Sequence, residues 1–551
     1  MPKTPPPAPW PGSSGRGPWV VRAAAAEMLL AAVAEQAARL PNRLAHVSPD
    51  GSLTYGQLLA RAATASALLA GGEAPPAPVL VWGHKQPAMP VAFLACALAG
   101  RPYVPADAAF PPARVARIAR AAGATSCLAA AALPAELETA LRAEGLDPVP
   151  LGPDGVAPAA AAPRAGPAPV AAGSETAYIL FTSGSSGDPK GVPIPWTALR
   201  HFTTWLLAEQ GPRAGAEVVL NQAPFSFDLS VLDLYLSLLC GGTLFSVSAD
   251  MVAAPRRLFA ALGGSDLTVW VSTPSFARFC LSEPTFDAGL LPGLRRLLFC
   301  GETLPPGLAR ELLRRFPRAE VWNTYGPTEA TVAVTSIRVS ADMAARDEPL
   351  PVGRAADGLR VWVAGPDLAA RPEGTPGEII IAGPQVAPGY LCPPAGSGVA
   401  APPPDRFVEF AGERCYRTGD AGVLRAGLLY YTGRLDRQVK IRGYRLELDE
   451  IETHLRRLPG VSEAAVLVVE RGGFADHLAA FVVCPGDPAS DGAAGLPADP
   501  AAAFARGQAL RAALGRTLPA YAVPRSVHLL PSLPLTPNGK LDRRALEARL
   551  A

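Results

Sequence analysis

The chain has 551 residues, 49% of them hydrophobic and 18% charged, with a formal net charge of +2. That length exceeds a single ordinary core, so two or more domains are expected, and the composition excludes wholesale disorder. Interspersed acids and bases argue against a nucleic-acid surface or a polybasic anchor, and no apolar run reaches the roughly 20 residues of a membrane span.

In chain order, residues 1–22 are rich in Pro and Gly and are expected to form a disordered arm. Arg22 and Glu27 break the first apolar stretch, which is therefore a poor signal peptide. Helical patterns run through Ala23–Leu40 and, after the turn at Asp50-Gly51, through Tyr55–Leu69. Strand-like and helical runs then alternate at Val79–Trp82, Met89–Ala99 and Arg114–Ala121, the mark of a layered α/β architecture with parallel strands. Residues 152–174 are dominated by Ala, Pro and Gly and read as a linker. Further strands are expected at Val218–Leu220, Leu267–Ser272, Leu297–Cys300 and Glu320–Trp322, each followed by a polar loop. Ligands collect beyond the carboxyl ends of such strands. Near residue 434 the texture becomes charged and compact. A helix (Asp449–Leu458), strands (Ala464–Glu470, Leu478–Val483), a helix (Ala501–Leu514) and a short tail follow, with low-complexity loops at 393–404 and 485–500. The expected fold is α/β: a large N-terminal domain (23–434) of layered sheets with flanking helices, plus a small mobile α+β C-terminal lid (435–551).

None of the eight cysteines forms a C-x-x-C pair, and Cys96, Cys240, Cys280 and Cys300 lie in apolar runs. Free thiols in such runs behave as small hydrophobes and point to a reducing compartment, hence the cytoplasm. The six histidines are scattered and suggest no zinc site.

The stretch Ala177–Val192 reads as a buried strand entering a loop of glycines, hydroxyls and one lysine. Glycines let a backbone approach phosphates, hydroxyls and N–H groups donate, and lysine adds charge. A flexible turn would have the same composition. Six further segments follow it: Phe227-Asp-Leu-Ser230, Asn323-Thr-Tyr-Gly-Pro-Thr-Glu329, Gly377–Gly383, Tyr416-Arg-Thr-Gly-Asp420, Gly433–Glu452 and Asn538-Gly-Lys-Leu-Asp-Arg543. Together they resemble the adenylate-forming superfamily of acyl-CoA synthetases, luciferases and peptide-synthetase adenylation domains, over the whole chain after about residue 25. Ser186 departs from the family, where Thr is commoner, but keeps the hydroxyl.

The resemblance implies ATP and Mg²⁺ as cofactors and assigns roles. Thr182, Ser183 and Lys190 would hold the departing pyrophosphate, and Glu329 the metal. Asn323, Thr324, Tyr325, Gly326, Pro327 and Thr328 would bind adenine and phosphate. Asp420 and Arg434 would grip the ribose hydroxyls, and the neighbouring Tyr431, Thr432 and Gly433 would also bind ATP. Lys540 would reach from the small domain to the substrate carboxylate and α-phosphate, the point where two anions meet. Asp436 would be the hinge between an adenylating and a thiol-transfer pose, with Lys440 and Gly443 swinging in for the second. A solvated glutamate, a turn aspartate, a surface lysine and a salt-bridged aspartate in a basic turn are the plain alternatives for Glu329, Asp420, Lys540 and Asp436.

Asp228 separates the subclasses, because a carboxylate here pairs with the ammonium of an amino acid, whereas fatty-acyl and acetyl ligases lack the need for it. The family's pocket positions carry over to Leu229, Leu232, Val271, Leu298, Cys300, Thr324, Val332 and Ala333, which are apolar apart from Thr324. The wording of Phe225–Tyr235, Leu298–Pro305 and Asn323–Val334 is similar to D-alanine–carrier protein ligases. Those enzymes charge D-alanine onto a phosphopantetheine thiol for D-alanylation of teichoic acids, and a cysteine at the Cys300 position helps favour the D isomer. A relative activating glycine, L-alanine or another small amino acid for natural-product assembly stays open, as does a core-thiol reading of Cys300. No carrier motif or H-H-x-x-x-D-G follows, so a freestanding monomer meeting a small acidic carrier protein in trans is expected, with no nucleic acid and no membrane insertion.

Overall fold

The computed structural model describes residues 18–69, 76–152, 175–184, 187–399, 406–471, 474–485, 499–536, 538 and 540–550, with side chains from Met28 onward. Most of the 1–22 arm and the 152–174 linker, parts of the loops at 393–404 and 485–500, and Ser186 lie outside these residues.

A nine-stranded sheet forms the middle of the large N-terminal part. Its inner strands, Leu44–Ser48, Thr243–Ser246, Val218–Asn221, Val269–Ser272, Arg296–Phe299 and Glu320–Tyr325, run parallel, and antiparallel strands close both edges. A six-stranded sheet lies beside it, parallel through Val79–Gly83, Tyr103–Asp107 and their neighbours, and ends in the antiparallel hairpin Thr176–Thr182/Lys190–Pro195. The helices Ala88–Leu98 and Leu229–Cys240 are buried on nearly every side, in keeping with their almost unbroken apolar sequences. They fill the space between the two sheets as one continuous core. A third, antiparallel sheet of Arg360–Ala364, Gly377–Ala382, Phe407–Phe410, Glu413–Arg425 and Leu428–Arg434 flanks the cleft.

After it the hairpin Gln438–Ile441/Tyr444–Glu447 leads into a three-stranded sheet of Glu463–Arg471, Phe474–Val483 and Ser526–Leu529. The helices Leu448–Arg456 and Pro500–Leu514 cover that sheet, giving the C-terminal part a core of its own. The fold is thus the expected α/β body with a small α+β C-terminal domain.

One expectation is corrected. Residues 18–22 are not a disordered arm, because the first helix starts at Pro18 and runs to Arg39. Proline's fixed φ and missing N–H suit a first helical turn, so composition alone misleads there. Likewise Asp499, placed in a loop, caps the helix Pro500–Leu514 by accepting from Ala501 N and Ala502 N at 2.9 and 3.1 Å.

Candidate active site

The carboxyl ends of the parallel strands open onto one cleft. Strand Val218–Asn221 continues into Phe225–Asp228, and Asp228 immediately precedes the helix Leu229–Cys240. Thr328 Oγ1 donates to Asp228 Oδ2 at 2.6 Å. Desolvation raises the Asp228 carboxyl pKa, opposed by Thr328 and by the charges of Lys440 and Arg445. Leu229, Leu232, Val271, Leu298, Cys300, Val332 and Ala333 join a single apolar cluster beside it, and Thr324 Oγ1 is spent on Phe299 O at 2.8 Å. The Cys300 thiol, buried and raised in pKa by that burial, points at Val332 O, 3.8 Å away.

The wall opposite Cys300 is strained. Thr331 and Val332 have φ of 57° and 72°, and a buried β-branched residue adopts the left-handed region only when its surroundings force it. Gly326 makes that fold-back possible, since a Cβ there would lie 2.6 Å from Ala333 Cα.

On the outer side, Asn323, Thr324, Tyr325, Gly326, Tyr431 and Arg434 line one continuous cavity. The register of the third sheet sets Asp420 opposite Arg434. Arg434 Nη1 donates to Asp420 Oδ1 at 2.7 Å and Tyr325 OH to Asp420 Oδ2 at 2.6 Å. Each carboxylate oxygen keeps a further lone pair, enough to accept from two vicinal hydroxyls. Tyr325 and Tyr431 rings stand 6.2 Å apart, Asn323 Nδ2 is committed to Pro351 O, and Thr432 is exposed.

Between these halves sits the loop after Thr176–Thr182. Thr182 Oγ1 is buried in the cleft and lacks a hydrogen-bond partner among the described residues, a donor left waiting for an acceptor. Ser183 Oγ donates to Arg445 O at 3.0 Å, and Lys190 Nζ lies 3.3 Å from Glu447 Oε1. Glu329 is fully buried, accepting from Tyr390 OH at 2.9 Å and from Arg445 Nη1 at 2.7 Å. Burial works against its charge, but Arg445 and Lys190 outweigh it and hold the pKa down at about 2. No cluster of three or more metal-ligating side chains occurs among the described residues. One ionised, buried carboxylate beside phosphate donors nonetheless fits Mg²⁺, which takes few protein ligands and completes its shell with phosphate and water oxygens.

Two family models match the chain: AMP-binding enzyme over residues 33–391, and AMP-binding enzyme C-terminal domain over 450–540. A D-alanine–D-alanyl carrier protein ligase of Bacillus anthracis is 42% identical over 521 residues, covering 94% of this chain and 98% of that protein. The enzyme of the same name from Bacillus cereus (strain B4264) is 42% identical over 522 residues with the same coverage. The chain belongs to the D-alanine–D-alanyl carrier protein ligase family of AMP-binding enzymes. In fold it is similar to the Vibrio cholerae adenylation domain AlmE, crystallised with glycyl-adenosine-5'-phosphate (TM-score 0.77, 24% identity, 98% of this chain and 99% of that one). It is also similar to holo-PA1221, a peptide-synthetase protein containing adenylation and PCP domains (TM-score 0.73, 29% identity, 95% and 84%).

In this member of the family the C-terminal hairpin is inserted in the cleft. Lys440, Gly443 and Arg445 line it together with Asp228 and Cys300, and Gly443 N donates to Glu302 Oε1 at 2.6 Å. Behind the hairpin, Arg114 Nη1 bonds Glu450 Oε1 at 3.2 Å, and His454 Nε2 lies 3.2 Å from Gly187 O. Lys540 is elsewhere: it is exposed, closes a turn with Thr536, and does not line the cleft. Asp436 bonds Arg434 through two contacts of 2.8 and 2.6 Å, Arg406 at 2.7 Å and Gln438 N at 3.1 Å.

Sequence reasoning missed Arg445, Glu447, Glu302 and Tyr390, which hold Glu329, Lys190 and the hairpin. Arg445 and Glu447 are two apart on one strand and so share a face, a signal legible once the hairpin is placed.

Proposed function

We propose that this ligase activates D-alanine with ATP and passes the alanyl group to the phosphopantetheine thiol of a separate carrier protein. The carrying observation is the buried pairing of Asp228 with Thr328 next to the Cys300–Val332 wall, a carboxylate for an ammonium set beside a largely apolar cluster, with Lys440 reaching in from the C-terminal hairpin. An alanine methyl fits such surroundings, whereas a charged side chain would find no partner. Identity of 42% to the Bacillus ligases supports the same substrate.

In the first half-reaction a carboxylate oxygen of D-alanine attacks the α-phosphorus and pyrophosphate leaves. Asp228 holds the ammonium. Tyr325 and Tyr431 flank the base, with Asn323–Thr328 and Thr432-Gly433 shaping its surroundings. Asp420 and Arg434 take the ribose, and Thr182, Ser183 and Lys190 take the phosphates. Glu329 would hold Mg²⁺, which supplies positive charge to the phosphates. Lys540, turned in by rotation near Asp436, brings a point charge to where the two anions meet. In the second half-reaction the pantetheine sulfur attacks the acyl carbon, AMP leaves, and the thiol proton passes to solvent. The hairpin-inserted arrangement corresponds to this second pose: Arg445 neutralises Glu329 and Glu447 neutralises Lys190 at the positions pyrophosphate and metal would have vacated.

The 23–434 and 435–551 units would then act as body and lid of a monomer in the cytoplasm, its product suited to D-alanylation of teichoic acids. ATP–pyrophosphate exchange over D-alanine, L-alanine and glycine tests the reading. D-alanine should give the highest rate and Asp228→Asn should abolish it; strongest exchange with glycine or L-alanine would shift the assignment to another small amino acid.

A further inference from the structure

Beneath the Asp228 loop lies a buried polar cluster that no step above uses. Lys85 is completely buried. Its ammonium donates to Asn221 Oδ1 at 2.6 Å and to the backbone carbonyl of Ala223, and it stands 4.6 Å from the centre of the Phe225 ring. Asn221 Nδ2 donates in turn to Asp233 Oδ1 at 2.9 Å, and Ser246 Oγ donates to Asn221 Oδ1 at 2.7 Å.

A lysine in an apolar core is costly, and desolvation lowers its pKa to about 8 against the pull of Asp233 and Asp107. An aliphatic residue would fill the same volume at lower cost, so the charge calls for a local reason. Every group Lys85 bonds lies at the start of the segment that ends in Asp228. Ala223 and Phe225 are gripped directly, the Phe227 N–H closes a turn onto Pro224 O at 2.9 Å, and Asp228 follows at the head of its helix.

We infer that Lys85, linked through Asn221 to the buried Asp233, is a positioning residue for amino-acid recognition: it grips the Ala223 carbonyl and the Phe225 ring and thereby fixes where the Asp228 carboxylate meets the substrate ammonium. The groups assigned to ATP hang on other strands and meet this segment through the Thr328–Asp228 bond, so the clamp should act on ATP binding far less than on amino-acid binding. The inference rests on the proposed D-alanine reading.

Steady-state kinetics of Lys85→Met, with each substrate varied in turn, test it. Loss of a buried charge-assisted bond that sets the geometry should raise KM for D-alanine by about tenfold or more and leave KM for ATP within about twofold. Should Asp233, left alone, impair folding, Lys85→Met/Asp233→Asn removes both ionisable groups; it should fold and still show the raised D-alanine KM. An unchanged D-alanine KM in a folded variant, or equal rises in both KM values, overturns the inference. Wild-type enzyme inactive toward D-alanine would instead overturn the functional reading, so the two failures are distinct.

Discussion

Arg445→Met should separate the two half-reactions. Arg445 Nη1 sits 2.7 Å from Glu329 Oε2, with the two side chains 14% and 0% exposed, and Arg445 Nε also donates to Gln438 Oε1 at 2.8 Å. Removing one member of a pair this desolvated leaves the other buried and uncompensated, a loss of about 3–5 kcal/mol. The loss should fall on the hairpin-inserted pose alone, because in the proposed adenylating pose Glu329 would face metal and phosphates instead. At about 1.4 kcal/mol per tenfold, the inserted pose should lose a factor of about 10² or more. Two assays read this out: ATP–pyrophosphate exchange for the first half-reaction, and single-turnover transfer from enzyme-bound alanyl-AMP to a phosphopantetheine-bearing carrier for the second. Exchange should stay within about threefold of wild type while transfer falls by about a hundredfold. Equal loss in both, or transfer at the wild-type rate, would refute the reasoning.

Lys540→Ala should lower exchange by orders of magnitude without moving the unfolding temperature, since the side chain is exposed and its turn is closed by backbone atoms and Thr536; transfer from preformed alanyl-AMP should persist. His454, held neutral by burial and then by Arg117, Arg457 and Arg114, has its pKa lowered from 6.5 to about 4. A depressed histidine pKa means that its contribution is intact above pH 6.5 and is lost as pH falls toward 4, so the transfer-to-exchange ratio should drop across that window, and His454→Gln should flatten the drop. Gly326→Ala should destabilise the protein by about 1–3 kcal/mol and raise KM for the amino acid. The added methyl would sit 2.6 Å from Ala333 Cα and 2.7 Å from Val332 O, so a wild-type unfolding temperature would contradict this account.

The parallel strands were legible because their apolar runs are unbroken and each ends in a polar loop, as at Val269–Ser272 and Arg296–Phe299. The largely apolar Ala88–Leu98 and Leu229–Cys240 helices were harder, since burial between two sheets erases the period that marks a surface helix. The antiparallel sheet over 360–434 was read only through its motifs; its strands are separated by turns that carry no long-range signal. Within the site, Asp228, Glu329, Asp420 and Lys190 stand out by motif; Asp228 and Asp420 line the cleft, and Glu329 and Lys190 are buried on Arg445 and Glu447 of the inserted hairpin. Arg445, Glu302 and Tyr390 did not, because their importance is relational: each matters through a partner over 50 residues away in sequence. Lys540 shows the converse, a motif residue whose proposed role depends on a rotation rather than on a contact present here.

The mass of the carrier protein after incubation with the ligase, ATP and D-alanine is the most direct test of D-alanine transfer. A phosphopantetheine-bearing carrier should gain one alanyl group as a hydroxylamine-labile thioester, and the same carrier lacking the arm should gain none. An unchanged carrier under conditions where coenzyme A becomes acylated, or where another amino acid and not D-alanine is adenylated, would contradict it.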